Sequence, residues 1–229
     1  MRAKGFFVCG TDTGTGKTEV SRALLTLWGG RGLQPRAIKL VETGCAPDAP
    51  EDALALRAAC GPPNDALPLD QVCPQRFLLP AAPLVAAEAE GRSVDLPRLL
   101  ALVAEARSSR AFLVEAAGGL LVPLARERGL LVTNLDLAAR LSLPVVLVGR
   151  AGLGTINHCA LSVQALRARG VAIAALVLNR TLAEDDPSLA SNARMVSELT
   201  GLPVLGPTPF EPDAARRPAA LAAALLQLS

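Results

Sequence analysis

The run Gly10-Thr11-Asp12-Thr13-Gly14-Thr15-Gly16-Lys17-Thr18 packs three glycines, a lysine and several hydroxyls into one short loop. Glycine tolerates backbone conformations that let successive N–H groups turn inward, which makes a cradle for phosphate oxygens. A helix beginning at the end of the loop adds its own free N–H groups and positive dipole end. In such a loop Lys17 reaches the β- and γ-phosphates of a nucleoside triphosphate, and the Thr18 hydroxyl is placed to ligate Mg²⁺. The pattern G-x-x-x-x-G-K-[ST] asks for glycine at position 11, whereas this chain carries it one residue earlier, at Gly10. The competing reading is a glycine-rich turn that merely joins a strand to a helix. Composition speaks against it: of 23 Lys and Arg residues, only Lys4, Lys17 and Lys39 are lysine. Where arginine is the default cation, a lysine in the loop suits a point contact that a guanidinium fork would not fit.

Further positions have matching chemistry. Lys39 lies in Ile38-Lys39-Leu40-Val41-Glu42-Thr43-Gly44, at the end of a short apolar run. If that run is a strand of a doubly wound sheet, Lys39 and Thr43 face the crevice outside its carboxyl end, where ligands bind. The alternative is an ordinary surface lysine. Asp52 opens the helical piece Asp52-Ala53-Leu54-Ala55-Leu56 and has two readings, a helix N-cap or a metal ligand. Glu115 ends the apolar run Phe112-Leu113-Val114 and precedes Ala116-Ala117-Gly118-Gly119. A carboxylate at a strand end beside small residues suits Mg²⁺, which takes hard oxygen ligands and keeps waters and phosphate in its shell. Thr18, Asp52 and Glu115 together form the expected metal set. His158, the only histidine, has no recognisable acid–base partner and reads as a packed helix residue.

The elements that must position these groups alternate along the chain. Strands are expected at Phe6–Cys9, Ala37–Val41, Ala111–Glu115, Val145–Val148, Ala174–Leu178 and Val204–Leu205, several of them apolar at consecutive positions, as in strands covered on both faces. Helices are expected between them at Thr18–Trp28, Leu96–Ala106, Leu135–Leu141, Ile156–Ala168, Leu189–Thr200 and Ala214–Leu228. This alternation predicts an α/β fold, a doubly wound and mostly parallel sheet with helices on both faces. The proline-rich stretch from Ala46 to Pro97 has short helical pieces such as Asp52–Ala59 and reads as an elaborated crossover, which leaves residues 1–229 as a single P-loop domain.

Composition narrows the function. Hydrophobic residues make up 51% and charged residues 19%, enough for a large core and too little charge for disorder. A net charge of +2 with 3% aromatics and scattered basic residues lacks a nucleic-acid footprint. Behind Met1-Arg2-Ala3-Lys4 the apolar run is too short for a signal segment, and Leu113–Leu124 and Leu141–Val148 are too short to span a membrane. Cys9, Cys45, Cys60, Cys73 and Cys159 are odd in number and have no C-x-x-C spacing, which fits free thiols in the cytoplasm.

In this order the pieces resemble the dethiobiotin synthetase family of P-loop proteins. The resemblance runs from Gly10–Thr13 and Gly16-Lys17-Thr18 through Lys39, Val41, Thr43-Gly44 and Asp52-Ala53-Leu54. It continues with Val114-Glu115, Gly118-Gly119, Val122-Pro123-Leu124, Leu143–Val148, Gly154-Thr155-Ile156-Asn157-His158 and Asn179. The family loop shares the early glycine. Two positions depart from the family: Leu40 stands where proline is common, and Ala116 where glycine is usual.

The resemblance implies an ATP-dependent ligase of biotin biosynthesis that uses Mg²⁺ and closes 7,8-diaminopelargonate and CO₂ into a cyclic urea through a phosphorylated carbamate. It implies Lys17 and Lys39 as catalytic groups. It implies nucleotide contacts from Gly14, Thr15, Gly16, Lys17, Thr18 and Glu19, from Glu115, Ala116, Ala117 and Gly118, and from Asn179, Arg180, Pro209, Phe210 and Glu211, with Asn179 at the adenine edge. Thr13, Thr43, Gly154, Thr155 and Asn157 are implied to bind substrate, the last three through a helix start that takes its carboxylate across a homodimer interface. A glutamine-dependent amidase relative, a partitioning-type ATPase and a nucleotide kinase are the rivals. The chain has no room for a second glutamine-hydrolysing domain, no lysine at positions 11–15 and no arginine-rich lid in 46–97.

Overall fold

The computed structural model describes residues 4–183 and 186–228; Met1-Arg2-Ala3, ahead of the first apolar run, lie outside them. Strand β1 (Lys4–Gly10) feeds the glycine-rich loop and helix α1 (Lys17–Gly30). Strand β2 (Arg36–Lys39) follows, then the two-residue β3 (Glu42–Thr43). The proline-rich stretch folds into α2 (Glu51–Cys60), α3 (Leu69–Val72), β4 (Arg76–Phe77) and α4 (Pro83–Ala89), and leads to α5 (Leu96–Ala106). Next come β5 (Ala111–Gly119), the hairpin strands β6 (Pro123–Glu127) and β7 (Leu130–Thr133), and α6 (Asn134–Leu141). The chain continues with β8 (Val145–Arg150), α7 (Thr155–Ala168), β9 (Ile173–Asn179), α8 (Leu189–Thr200), β10 (Val204–Leu205) and α9 (Arg217–Leu225).

Six of these strands form one parallel sheet in the order β10-β9-β8-β1-β5-β2. The alternation of side chains along β1 divides the core in two. Phe7 and Cys9 point into one layer with Ile38, Phe112 and Val114, against Leu99 of α5, Leu137 of α6, Val163 of α7 and Val196 of α8. Phe6 and Val8 point into the other, with Val20, Leu24 and Trp28 of α1, Leu56 of α2 and Leu221 of α9. Helices therefore cover both faces, as the apolar strands require. Side chains of the proline-rich stretch go to both layers: Leu56 and Cys60 to the α1 side, Phe77, Ala86 and Leu96 to the other.

Most expected elements lie within a few residues of their observed bounds. The short β3–β4 pair lies outside the expected strands, and three further places differ. Strand β5 runs on to Gly119, so Glu115 sits in mid-strand and not at its end. Small residues permit this, because Ala116 is fully buried and Ala117 nearly so, and a turn there would expose apolar core. Asp52 is not a helix cap: Pro50 holds the N-cap position and Asp52 is inside the first turn of α2. The antiparallel β6–β7 hairpin was not expected. Its turn passes through Arg128 and Gly129, both at positive φ, which glycine adopts without strain.

The hairpin ends in a reciprocal helix cap. The Thr133 hydroxyl accepts the Asp136 N–H at 3.3 Å, and the Asp136 carboxylate accepts the Thr133 N–H at 2.9 Å, satisfying donors that α6 cannot pair internally. Replacing Thr133 by alanine is expected to lower unfolding free energy by about 1 kcal/mol. A urea titration should show an earlier midpoint at unchanged slope, and an unmoved midpoint would rule the cap out as a stabilising element.

Candidate active site

The loop after β1 is shaped by contacts that only glycine permits. A side chain at Gly10 would place its Cβ 2.5 Å from the Asp12 carbonyl oxygen, so the early glycine is what lets the loop curl back on itself. Gly16 caps α1 at φ 80°, and a Cβ there would lie 2.0 Å from the Asn179 Nδ2. The curl buries Lys17, whose ammonium donates to the Asp12 carbonyl at 3.3 Å. Burial holds the Lys17 pKa below the ordinary lysine value, with Glu115 nearby working against that. Arg150, at the end of β8, ties the loop from outside through Asp12 Oδ2 at 2.8 Å.

The sheet register brings the second lysine to the same crevice. Lys39 and Glu115 are direct neighbours on β2 and β5. The Lys39 Nζ donates to Glu115 Oε1 at 2.7 Å and to Asp52 Oδ2 at 2.5 Å. The Thr18 hydroxyl donates to the same Glu115 oxygen at 2.8 Å. Burial alone would lower the Lys39 pKa; the two carboxylates outweigh it and raise it, so the ammonium stays charged. Burial likewise works against ionisation of Asp52, and Lys39 outweighs it, holding that carboxyl below its usual range. Glu115 is fully buried and its Oε2 has no hydrogen-bond partner. A buried, unpartnered carboxylate oxygen beside a threonine hydroxyl and a second carboxylate is a donor set suited to a hard cation. Among the described residues no group of three or more His, Cys, Asp or Glu side chains is arranged to hold a metal ion by itself.

Thr13, Gly14, Gly16, Lys17, Thr18, Glu19, Lys39, Thr43, Asp52, Ala117 and Gly118 line one cleft of about 370 Å³ at the carboxyl ends of the strands. Sequence reasoning missed Glu42, which lines it too and is buried. Its carboxylate accepts the N–H groups of Asp52 and Ala53 at 3.0 and 2.9 Å. Nothing in the sequence pairs it with α2, whose N-cap residue Pro50 has no capping side chain of its own.

Asn179, Arg180, Pro209, Phe210 and Glu211 line an adjoining smaller cleft with Gly16 and Glu19. The Asn179 amide is braced between the Thr15 carbonyl at 3.0 Å and the Thr208 hydroxyl at 2.7 Å. The Thr15 side chain is buried. Gly154, Thr155 and Asn157 do not line the phosphate cleft. Gly154 caps α7 and Asn157 is exposed, while the Thr155 hydroxyl turns inward to Cys159 Sγ at 3.5 Å. The N–H of Leu153 in that turn donates to Asp186 Oδ2 at 2.8 Å. A larger surface depression, about 840 Å³, lies on the hairpin, where Glu127 and Arg140 pair, away from the glycine-rich loop.

The two departures from the family pattern are accommodated. Ala116 turns its methyl into the apolar layer with Phe112 and Val114. Leu40 is buried in the same layer, and its N–H donates to the Glu115 carbonyl at 3.1 Å, a bond that proline would lack.

Residues 4–217 match the family model described as an AAA domain. The chain is 50% identical over 224 residues to the ATP-dependent dethiobiotin synthetase BioD of Anaeromyxobacter dehalogenans (strain 2CP-C), covering 97% of each protein. Against the enzyme of the same name from Thermodesulfovibrio yellowstonii it is 35% identical, over 90% of this chain and 88% of that one. For that of Caulobacter vibrioides (strain NA1000 / CB15N) the identity is 40%, over 81% and 83%. With the loop, the paired lysine and the strand order already in place, the chain belongs to the dethiobiotin synthetase family of P-loop proteins.

Proposed function

We propose that this protein is an ATP-dependent ligase that converts 7,8-diaminopelargonate and CO₂ into dethiobiotin in biotin biosynthesis. The observation that carries the reading is Lys39 held between Glu115 and Asp52 beside Thr18, in the cleft that also takes Lys17. One amine of the diamine attacks CO₂, forming an N–C bond and releasing a proton. A carbamate oxygen then attacks the γ-phosphorus of ATP, and the bond to the β-bridging oxygen breaks to give ADP. The second amine attacks the carbamate carbon, loses a proton and expels phosphate, closing the urea ring.

Carbamate and γ-phosphate are both anionic, so the work of the site is positioning and charge neutralisation. Lys17 and the inward N–H groups of Gly14–Thr18 hold the β- and γ-phosphates. Lys39 lies between the phosphate loop and Thr43, where it stabilises charge on the oxygens being transferred. Thr13 and Thr43 orient the diamine. Thr18, Asp52 and Glu115 would hold Mg²⁺, on the strength of the unpartnered Glu115 Oε2. When bound, Mg²⁺ supplies further neutralisation of the phosphate charge. Asn179, Arg180, Pro209, Phe210 and Glu211 supply a cleft for the base and ribose.

A homodimer completes the substrate site in this reading. Gly154 and Asn157 are outside the phosphate cleft of their own chain, and Leu153 and Leu182 beside them are 89% and 63% exposed. These leucines share a depression with Arg150, Arg180 and Asp186, and in this reading a second copy covers it. The whole chain then acts as one P-loop unit. The five cysteines are free, and burial pushes the thiols of Cys9, Cys60 and Cys73 up to about 12, which makes them inert and fits a cytoplasmic protein. Among the described residues no helix is long and apolar enough to cross a membrane.

The test is direct: with ATP, Mg²⁺, bicarbonate and 7,8-diaminopelargonate, ADP and a cyclic urea should form together. ATP turnover that ignores the diamine would sink the substrate assignment.

A further inference from the structure

Glu42 is buried inside the phosphate cleft, yet none of the transfer chemistry above uses it. Its two carboxylate oxygens are both committed to helix α2, Oε1 to the Asp52 N–H and Oε2 to the Ala53 N–H. These are donors that a helix cannot satisfy internally, and Pro50 at the N-cap has no acceptor to offer them. The cap therefore comes from a distant residue. Glu42 is itself fixed, because its N–H donates to the Gln75 carbonyl at 3.1 Å and β3 pairs with β4 in register Glu42 to Arg76. One carboxylate thus joins the strand that carries Thr43 to the helix turn that carries Asp52.

We infer that Glu42 is a positioning residue, which sets the Asp52 carboxylate against Lys39 and Thr18 by holding the backbone of Asp52 itself. The inference rests on the proposed role of Asp52 at the cation. A hydrogen bond to Asp52's own N–H fixes its Cα, and the side chain then needs only its own rotamer to reach the Lys39 Nζ at 2.5 Å. Without that bond the first turn of α2 is free to fray, and Asp52, at the mouth of the cleft with 42% of its side chain exposed, is drawn toward water. Glutamine cannot replace the carboxylate: it offers one acceptor oxygen, and its NH₂ group would face a backbone donor. Removing a partner that orients a metal ligand in this way typically costs about 10–100-fold in metal affinity.

The readout is Mn²⁺ binding, followed by electron paramagnetic resonance with ADP present, on the full chain and on E42Q, E42A, D52N and the E42Q/D52N double variant. E42Q and D52N should each weaken Mn²⁺ by about 10-fold or more. The double variant should be no weaker than D52N alone, since both changes act through one carboxylate. A helix cap with no role in positioning would lower the melting temperature of E42Q and leave its Mn²⁺ affinity, measured well below melting, at the parent value. That result, with D52N weakened, overturns the inference and leaves the role of Asp52 standing. Parent affinity in D52N overturns both. Should E42A fail to fold, the folded E42Q decides.

Discussion

Replacing Lys39 by methionine should lower the turnover number by at least about 100-fold, the usual consequence of removing one preorganised charge from a transition state. Methionine preserves length and volume, so the loss is of charge and not of packing. In the proposed reading Lys17 and the N–H groups of the glycine-rich loop hold the nucleotide, and the variant keeps them, so ADP should still bind. Stability should fall as well. Lys39 is 3% exposed and Glu115 is fully buried, so the variant leaves a carboxylate without its counter-ion. Breaking one half of a buried pair costs about 3–5 kcal/mol, a large share of the stability of a domain but not all of it.

The two effects can be separated by adding Glu115→Gln to the same chain. The double variant no longer buries an uncompensated charge, so its melting temperature should recover toward the parent. Its turnover stays low for a second reason, since Glu115 is itself a proposed cation ligand, so melting is the readout of this variant. Near-parent turnover in K39M would remove Lys39 from the chemistry, and no melting recovery in the double variant would show that the pair with Glu115 is not what the protein loses.

The parts legible from residue order are those where a local pattern and a global requirement coincide. Strands such as Val145–Val148 are apolar on successive positions because both faces are covered, and that pattern fixes type and place together. The glycine-rich loop was legible for a similar reason: its glycines, set between an apolar strand and a helix, mark where the backbone must curl. Lys39 and Glu115 were each visible as strand residues of unusual type, but their adjacency depends on β2 and β5 being neighbours, which register alone decides. Glu115 was misplaced at a strand end because Ala-Ala-Gly-Gly reads as a turn when burial is unknown.

The hairpin was missed because Pro123 argues against a strand, and Leu130-Leu131-Val132 runs straight into a helix. Glu42 was illegible for a deeper reason. Its partners are backbone N–H groups ten and eleven residues on, and a backbone donor leaves no mark in a sequence.

The second large effect is expected from Gly16→Ala, which should weaken nucleotide binding by about 100-fold, the scale of loss that goes with ångström-level misplacement of positioning groups. Two costs combine. Alanine at φ 80° carries a left-handed penalty of about 1–2 kcal/mol. The added Cβ would also lie 2.0 Å from the Asn179 Nδ2, a contact that cannot persist. Either Asn179 gives up the Thr15 carbonyl and the Thr208 hydroxyl, or the loop moves and takes Lys17 and Thr18 with it. Gly14→Ala is the control for stability, because Gly14 is also at positive φ, 70°, and a Cβ there meets nothing within 4 Å. The melting temperature of G16A should therefore fall further than that of G14A, and the excess measures the collision alone. Combining Gly16→Ala with Asn179→Ala removes the colliding amide, so the excess should shrink in the double variant. Equal losses in G14A and G16A, or a double variant whose losses simply add, would show that Asn179 does not brace the loop.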